Sequence, residues 1–230
     1  MSTGSRRTGR PTTPMLDRDV IVRAALNLID EVGARGFSVN LLAQRLHVRP
    51  SSFYNHVKGK DDILAGVREL VASPIDAGAF DSLPWDEALM SWARLYRAAF
   101  AAHPQTIPLL ATQPLPGAHS TVRMYETVAS GLERAGWPAE TVVPLIVGVE
   151  SFILGSALDL TAPPTMLDPG PDSPQAPRFT ALVRARDELS TAEGRPAADL
   201  AFELSLTALV DGLRARLTQQ ATAPNGIRSR

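Results

Sequence analysis

Cysteine is absent from this 230-residue chain. No disulfide and no thiolate metal site can form, and the composition fits a reducing cytoplasm. Lysine is almost as rare: Lys58 and Lys60 are the two lysines among 23 basic residues. Histidine is sparse. His47, His56, His103 and His119 include no pair spaced for two ligands on one helix face. No stretch reaches the ~18 uninterrupted apolar residues of a membrane span. No apolar segment follows the N-terminal arginines as a signal peptide requires. No segment alternates as a half-buried strand does. A Gly-x-Ser-x-Gly elbow, a P-loop and a dinucleotide glycine motif are all missing, so a triad such as Ser151–His119–Asp159 has no supporting context. These absences predict a chain that is not an enzyme and has no cofactor, metal site or membrane partner.

What remains is helix. With 44% hydrophobic residues the chain can bury a real core. A helix starting at Asp17 carries Val20, Ile21, Ala24, Ala25, Leu28, Ile29 and Val32 on one face, and Gly33 and Gly36 stop it. Further helices are expected at Lys60–Val71, Trp85–Ala102, Gln105–Thr112, Ser120–Ala135, Glu140–Leu160, Arg178–Glu193 and Ala197–Gln219. The fold class is all-α. Residues 16–72 form a helix-turn-helix head of three helices with a fourth leading onward, and residues 73–220 form a larger helical domain. Met1–Met15, rich in Ser, Thr, Gly, Arg and Pro, reads as a flexible basic tail, either inert or an arm laying Arg6, Arg7 and Arg10 on DNA. Residues 221–230 read as a second tail. Thr161–Pro177 holds six prolines in seventeen residues and is expected to be a helix-free loop that gates a pocket.

Residues 38–60 carry the sharpest signal. Ser38 is a good N-cap for a short helix with Leu41, Leu42 and Leu46 apolar. A tight connection leads to a second short helix beginning near Pro50, where proline costs little. Phe53 and Val57 anchor that helix. Ser51, Ser52, Tyr54, Asn55 and His56 are left on its other faces, with groups suited to phosphate oxygens and base edges. Two short helices across a tight turn read as a helix-turn-helix. Charge agrees. Residues 1–60 hold ten Lys/Arg and four acids, net +6, while the whole chain is −1. A basic head on an acidic body is the footprint of a DNA-binding module.

Leu16–Leu64 resembles the TetR family of bacterial transcriptional repressors, in the tetracycline-repressor branch. The matching residues are Ala24–Ala25–Leu26, Gly33–x–x–Gly36–Phe37–Ser38, Leu42–Ala43 and Phe53–Tyr54–x–His56–Val57–x–x–Lys60. Trp85–Leu160 is similar to the C-terminal domain of that branch through Ala111–Thr112–Gln113–Pro114, Leu132–x–x–Ala135–Gly136–Trp137 and Phe152–x–x–Gly155. The resemblance implies a homodimeric repressor that binds a pseudo-palindromic double-stranded DNA operator and is released by a small molecule. It assigns Tyr54, Lys60 and Ser52 to phosphates, and Asn40, Arg49, Ser51, Asn55 and His56 to base edges, beside Ser38.

The departures from the branch matter as much. Leu109 stands where the tetracycline repressor has a magnesium-ligating histidine, and nothing near Asp76 replaces its drug-gripping histidine. Asp159 matches an acidic residue of that site, but one carboxylate does not make an octahedral magnesium site. The expected effector is therefore a hydrophobic molecule needing no metal, lined by Trp92, Tyr96, Leu109, Thr112, Tyr125 and Phe152. A dimer interface is expected from Leu145, Gly148, Phe152, Gly155 and Asp159 on one helix. The stripe Phe202, Leu206, Leu209, Leu213 and Leu217 on the last helix is expected to complete it. The alternative is a helical protein–protein adaptor that has lost DNA binding.

Overall fold

The computed structural model describes residues 16–222, and these form ten α-helices joined by turns and three short 3-10 segments. The expected tail at residues 1–15 lies outside them. So do residues 223–230, whereas Ala221 and Thr222 continue the last helix rather than beginning a tail.

The head is α1 (Arg18–Gly36), α2 (Val39–Arg45) and α3 (Pro50–Phe53), with α4 (Lys60–Ala72) running from it into the body. Asp17 caps α1 by accepting from the Val20 amide at 2.8 Å. Ile21, Ala25, Leu28 and Ile29 are fully enclosed. Gly33 does not end α1 but kinks it, with φ +73, and the chain resumes one more turn to Gly36. A Cβ at Gly66 of α4 would stand 2.5 Å from Val22, so glycine sets the close approach of α4 to α1.

The body is built on α5 (Trp85–Ala102), which packs against α8 (Ala139–Leu160) and α10 (Ala197–Thr222). Between them come α6 (Ile107–Leu110), α7 (His119–Arg134) and α9 (Pro177–Glu193). The expected helix at Gln105–Thr112 divides into a 3-10 turn at Pro104–Thr106 and the short α6, because Pro108 lacks the amide that would extend the ladder. A 3-10 turn at Gly78–Asp81 was not foreseen. It seats Phe80 against Gly131, where a Cβ would meet the ring at 2.6 Å. The proline-rich segment is not helix-free, since residues 170–175 make a 3-10 turn and Pro177 opens α9.

Three ion pairs fasten α10 to α5: Arg94–Glu203 at 2.7 Å, Arg97–Asp199 at 2.5 Å and Arg214–Asp86 at 2.5 Å. Arg97 is buried and its guanidinium also lies over the Phe202 ring, 4.5 Å from the centroid. α8 is long and apolar enough to cross a membrane by length and composition. One face of it fills the core through Val142, Ile146, Val149, Ile153 and Ala157. The other exposes Val143 (64%) and Val147 (53%).

Candidate nucleic-acid interface and ligand groove

The head presents one polar face. Ser38 closes α2 by accepting from the Leu41 amide at 3.2 Å. After Leu46 the chain turns sharply. The Val48 amide reaches the Ala43 carbonyl at 3.0 Å, and His47 takes φ +54, the left-handed conformation that non-glycine residues rarely adopt. α3 is a single turn, shorter than expected. Beyond Phe53, both the His56 and Val57 amides fold back on its carbonyl, at 2.8 and 2.9 Å. Phe53 and Val57 are buried. Tyr54, Asn55 and His56 therefore project from a tight turn rather than from helix. Asn40, Arg49, Ser51, Tyr54, Asn55, His56 and Lys60 are exposed, and Ser52 is half-buried. Arg45 is tied to Glu31 at 2.7 Å and Arg18 to Asp62 at 2.9 Å. Among the described residues Arg49, Lys58 and Lys60 make no ion pair, so their charges face outward. Lys60 also lies 5.8 Å over the Phe37 ring. Lys58, to which the sequence assigned no contact, belongs to this set.

α4 joins the head to the body through two adjacent side chains of opposite charge. Arg68, buried, donates to the carbonyls of Leu110 and of Gln113 (2.7 Å to the latter), at the C-terminal end of α6. Glu69 accepts at the N-terminal end of α7, from the Ser120 amide at 3.0 Å, its hydroxyl at 2.5 Å and the Thr121 amide at 3.2 Å. A cation at a helix C-terminus and an anion at an N-terminus both complement the helix dipoles. Burial alone would raise the Glu69 carboxyl. The hydrogen bonds from Ser120 and Thr121 outweigh it and hold the group below its ordinary range. A third tie joins His103 to Asp30 at 2.8 Å.

On the far side of that link, α7 and α8 flank a groove of about 410 Å3, lined by Leu115, Val122, Tyr125, Glu126, Ala129, Val143, Ile146, Val147 and Glu150. At its inner end the Tyr125 hydroxyl donates to Glu150 at 2.5 Å. Tyr96 reaches the same carboxylate from α5. Burial pushes the Glu150 carboxyl up, against the opposing effects of Tyr125, Tyr96 and the more distant Arg68 charge. Burial and the neighbouring carboxylate push both phenols up as well.

Residues 81–217 match the family described as tetracyclin repressor-like, C-terminal domain, and residues 21–67 match the bacterial regulatory proteins of the tetR family. The chain belongs to the TetR family. It is similar to the class A tetracycline repressor of transposon 1721 from Escherichia coli, at 27% identity over 87% of this chain and 92% of that protein. An HTH-type transcriptional regulator of Saccharopolyspora erythraea is 31% identical over 63% of this chain and 61% of its own length. Among solved structures, apo ActR of Streptomyces coelicolor covers 89% of this chain and 98% of its own, with a TM-score of 0.69 at 23% identity. This TetR-family regulator thus combines a DNA-binding helix-turn-helix head with a ligand-binding helical domain.

Within the TetR fold, the expected pocket residues separate. Tyr125 lines the groove. Trp92 does not: it is fully enclosed, edge-on to Tyr96 at 5.2 Å, and Tyr96 stacks on Phe100 at 4.9 Å. The cause is helical spacing, which places residues four apart on the same inward face of α5. Tyr96 takes part only from behind, through Glu150. Phe152 stacks on Phe202 at 5.4 Å, Leu109 is half-buried within α6, and Thr112 is exposed in the turn after it. Glu150 was missed, since an isolated acid among apolar neighbours gives no periodic signal. Asp159 lies elsewhere, in a cavity of about 380 Å3 with Arg186, Asp187 and the segment from Ala162 to Leu167. The proline-rich segment therefore lies beside α9 and α10, and it does not line the Tyr125 groove.

The expected interface residues also divide. Leu206 is wholly buried in its own chain, as are Phe202 and Val210, so Leu206 is core and not interface. Leu145 is buried too. Leu209 and Leu213 are half-buried and, with Gly148, line an open groove of about 360 Å3 between α8 and α10. Gly148 and Gly155 face outward: a Cβ added at either meets nothing within 4 Å.

Proposed function

We propose that this protein works as a homodimeric transcriptional repressor, gripping a pseudo-palindromic operator with two heads and released when a small, largely hydrophobic molecule enters the Tyr125–Glu150 groove. The observation that carries the reading is the link in α4. α4, which opens with Lys60 of the head's polar face, is latched by Arg68 and Glu69 to the two ends of the segment bordering the groove. A ligand that shifts α7 or Leu115 moves the Arg68 and Glu69 partners, and with them the head. It shifts the equilibrium only by its differential affinity for the two arrangements.

Dimerisation follows from α8. Outside the groove, Gly148, Gly155 and Leu158 form an outward apolar stripe that is unpaired in one chain. Paired with the outer face of α10 from both copies, it makes a four-helix interface. The heads then enter successive major grooves about one helical turn apart. Tyr54, Lys60 and Ser52 are assigned to phosphates. Asn40, Arg49, Ser51, Asn55 and His56 are assigned to base edges, with Ser38 holding the start of α2.

The effector needs no divalent metal. Leu109 offers no ligand atom, and Asp159 lies in a different cavity from Glu126 and Glu150. The decisive test is a gel-shift titration against palindromic and scrambled duplexes over a salt series, repeated with EDTA. Preference for one palindrome with a steep inverse salt dependence is expected, and release by the effector is expected to be unchanged by chelator. Equal affinity for all duplexes would overturn the repressor reading in favour of an adaptor. An effector active only as its magnesium complex would overturn the metal-free one.

A further inference from the structure

We propose that the Tyr125–Glu150 groove selects a hydrophobic monocation, a compact organic molecule with a large apolar or aromatic surface and one positive charge. The proposal rests on the reading of this groove as the effector site. Its walls are aliphatic: Leu115, Val122, Val143, Ile146 and Val147. Its charged groups are both acids. Glu126 stands exposed at the rim, Glu150 lies at the inner end, and the lining contains no Lys, Arg or His.

Glu150 is poised for a cation. A carboxylate withdrawn from water is costly without a partner of opposite charge. Among the described residues Glu150 has no ion pair; its hydrogen-bond donors are the neutral phenols of Tyr125 and Tyr96. The positive charge that acts on it belongs to Arg68, whose guanidinium is occupied by the carbonyls of Leu110 and Gln113. A ligand cation supplies the missing pair, and the Tyr125 ring adds an aromatic face beside it. A neutral molecule of equal shape gains contact area alone. An anion meets two carboxylates across low-dielectric walls and is rejected.

A second consequence is linked to protons. The groups facing Glu150 are Tyr125 and Glu126 from α7, Tyr96 from α5 and Arg68 from α4. Of these, Glu126 is the other acid of the groove lining. Burial keeps Glu150 protonated to higher pH than an ordinary glutamate. A bound cation favours the ionised form, so binding releases a proton, and affinity rises as pH rises through the Glu150 titration.

Calorimetry on the full chain tests this with tetraphenylphosphonium and tetraphenylborate, which share one shape and carry opposite charge. Phosphonium is expected to bind at least about tenfold more tightly than borate, with proton release seen in buffers of different ionisation enthalpy. Glu150→Gln should weaken phosphonium by about tenfold or more, and Glu126→Gln by less, because an exposed charge is screened. Tyr125→Phe, with its circular dichroism checked, provides a second reading should Glu150→Gln lose helical content; it too should lower phosphonium affinity relative to borate. Equal affinities for the two ions overturn the proposal. So does unchanged phosphonium affinity in whichever of these two variants folds, or no phosphonium binding below millimolar. Gel shifts on the same preparations test the repressor reading separately. Lost palindrome preference with intact phosphonium selectivity defeats that reading alone.

Discussion

At Glu69 one carboxylate satisfies the opening amides of α7 and the hydroxyl of Ser120. Removing it leaves those donors unpaired at a helix N-terminus. Glu69→Ala should lower stability by about 1–2 kcal/mol, read by urea unfolding. Its folded carboxyl titrates below the ordinary 4.5. The unfolded chain therefore binds the proton more readily, and the contribution is full above pH 4.5 and fades as pH falls through the lower folded value. The difference between wild type and variant should shrink on acidification; a difference independent of pH would refute the capping role. Glu150 behaves oppositely. Its folded value lies above 4.5, so any stability it lends is complete below pH 4.5 and is lost as pH rises through the raised value. Glu150→Gln removes that loss. The variant should gain on wild type in thermal melts as pH rises from 5 to 8, and a constant gap would contradict a buried, ionising carboxyl.

α3 and the turn after it divide labour with α4 at the scale of elements. The polar tip from Ser51 to His56 is held by Phe53 and Val57 alone, while Lys60 opens α4 with its charge outward. The proposed reading assigns Asn55 of this tip to a base edge and Lys60 to phosphate. Asn55→Ala should cost about 1–3 kcal/mol on the cognate operator and relax one base position. Lys60→Ala should weaken all duplexes alike and reduce the log–log salt slope by about 0.9. Gel-shift titrations on cognate and single-substituted duplexes separate the two, and a uniform loss from both variants would show that Asn55 is a backbone contact.

For the whole molecule the question is what covers α8. On its outward side Gly148, Gly155 and Leu158 are exposed, and Gly155 has open space around it within one chain. A Cβ at Gly155 meets nothing in its own chain, so Gly155→Phe is expected to act chiefly on contacts with a second copy. Sedimentation should show a monomer with unchanged helical content and no operator binding. A variant that remains dimeric would move the interface away from α8.

The head, the all-α class and the helix spans at Trp85–Ala102 and near Ala139–Leu160 were legible in the sequence, because caps, glycine stops and apolar periodicity are local signals carried by neighbouring residues. Asp17, Ser38 and Pro50 mark helix starts wherever the chain goes. The proline-rich segment does connect α8 to α9, but proline excludes helix interiors and is welcome in a first turn, so a 3-10 turn forms at residues 170–175 and Pro177 opens α9. The groove was not legible. Trp92, Tyr96 and Phe152 carry the aromatic character a pocket would have, yet the crossing of α5 with α8 and α10 turned them into core. Leu206 and Leu209 share one periodic stripe, and packing against α5 and α8 buried the first and left the second half-open. Arg68, Glu69 and Glu150 meet partners at least 25 positions away. Local pattern determines which residues are helical and which faces are apolar. Only the tertiary structure decides which apolar face meets its own chain, which remains open, and where a lone charge is withdrawn from water.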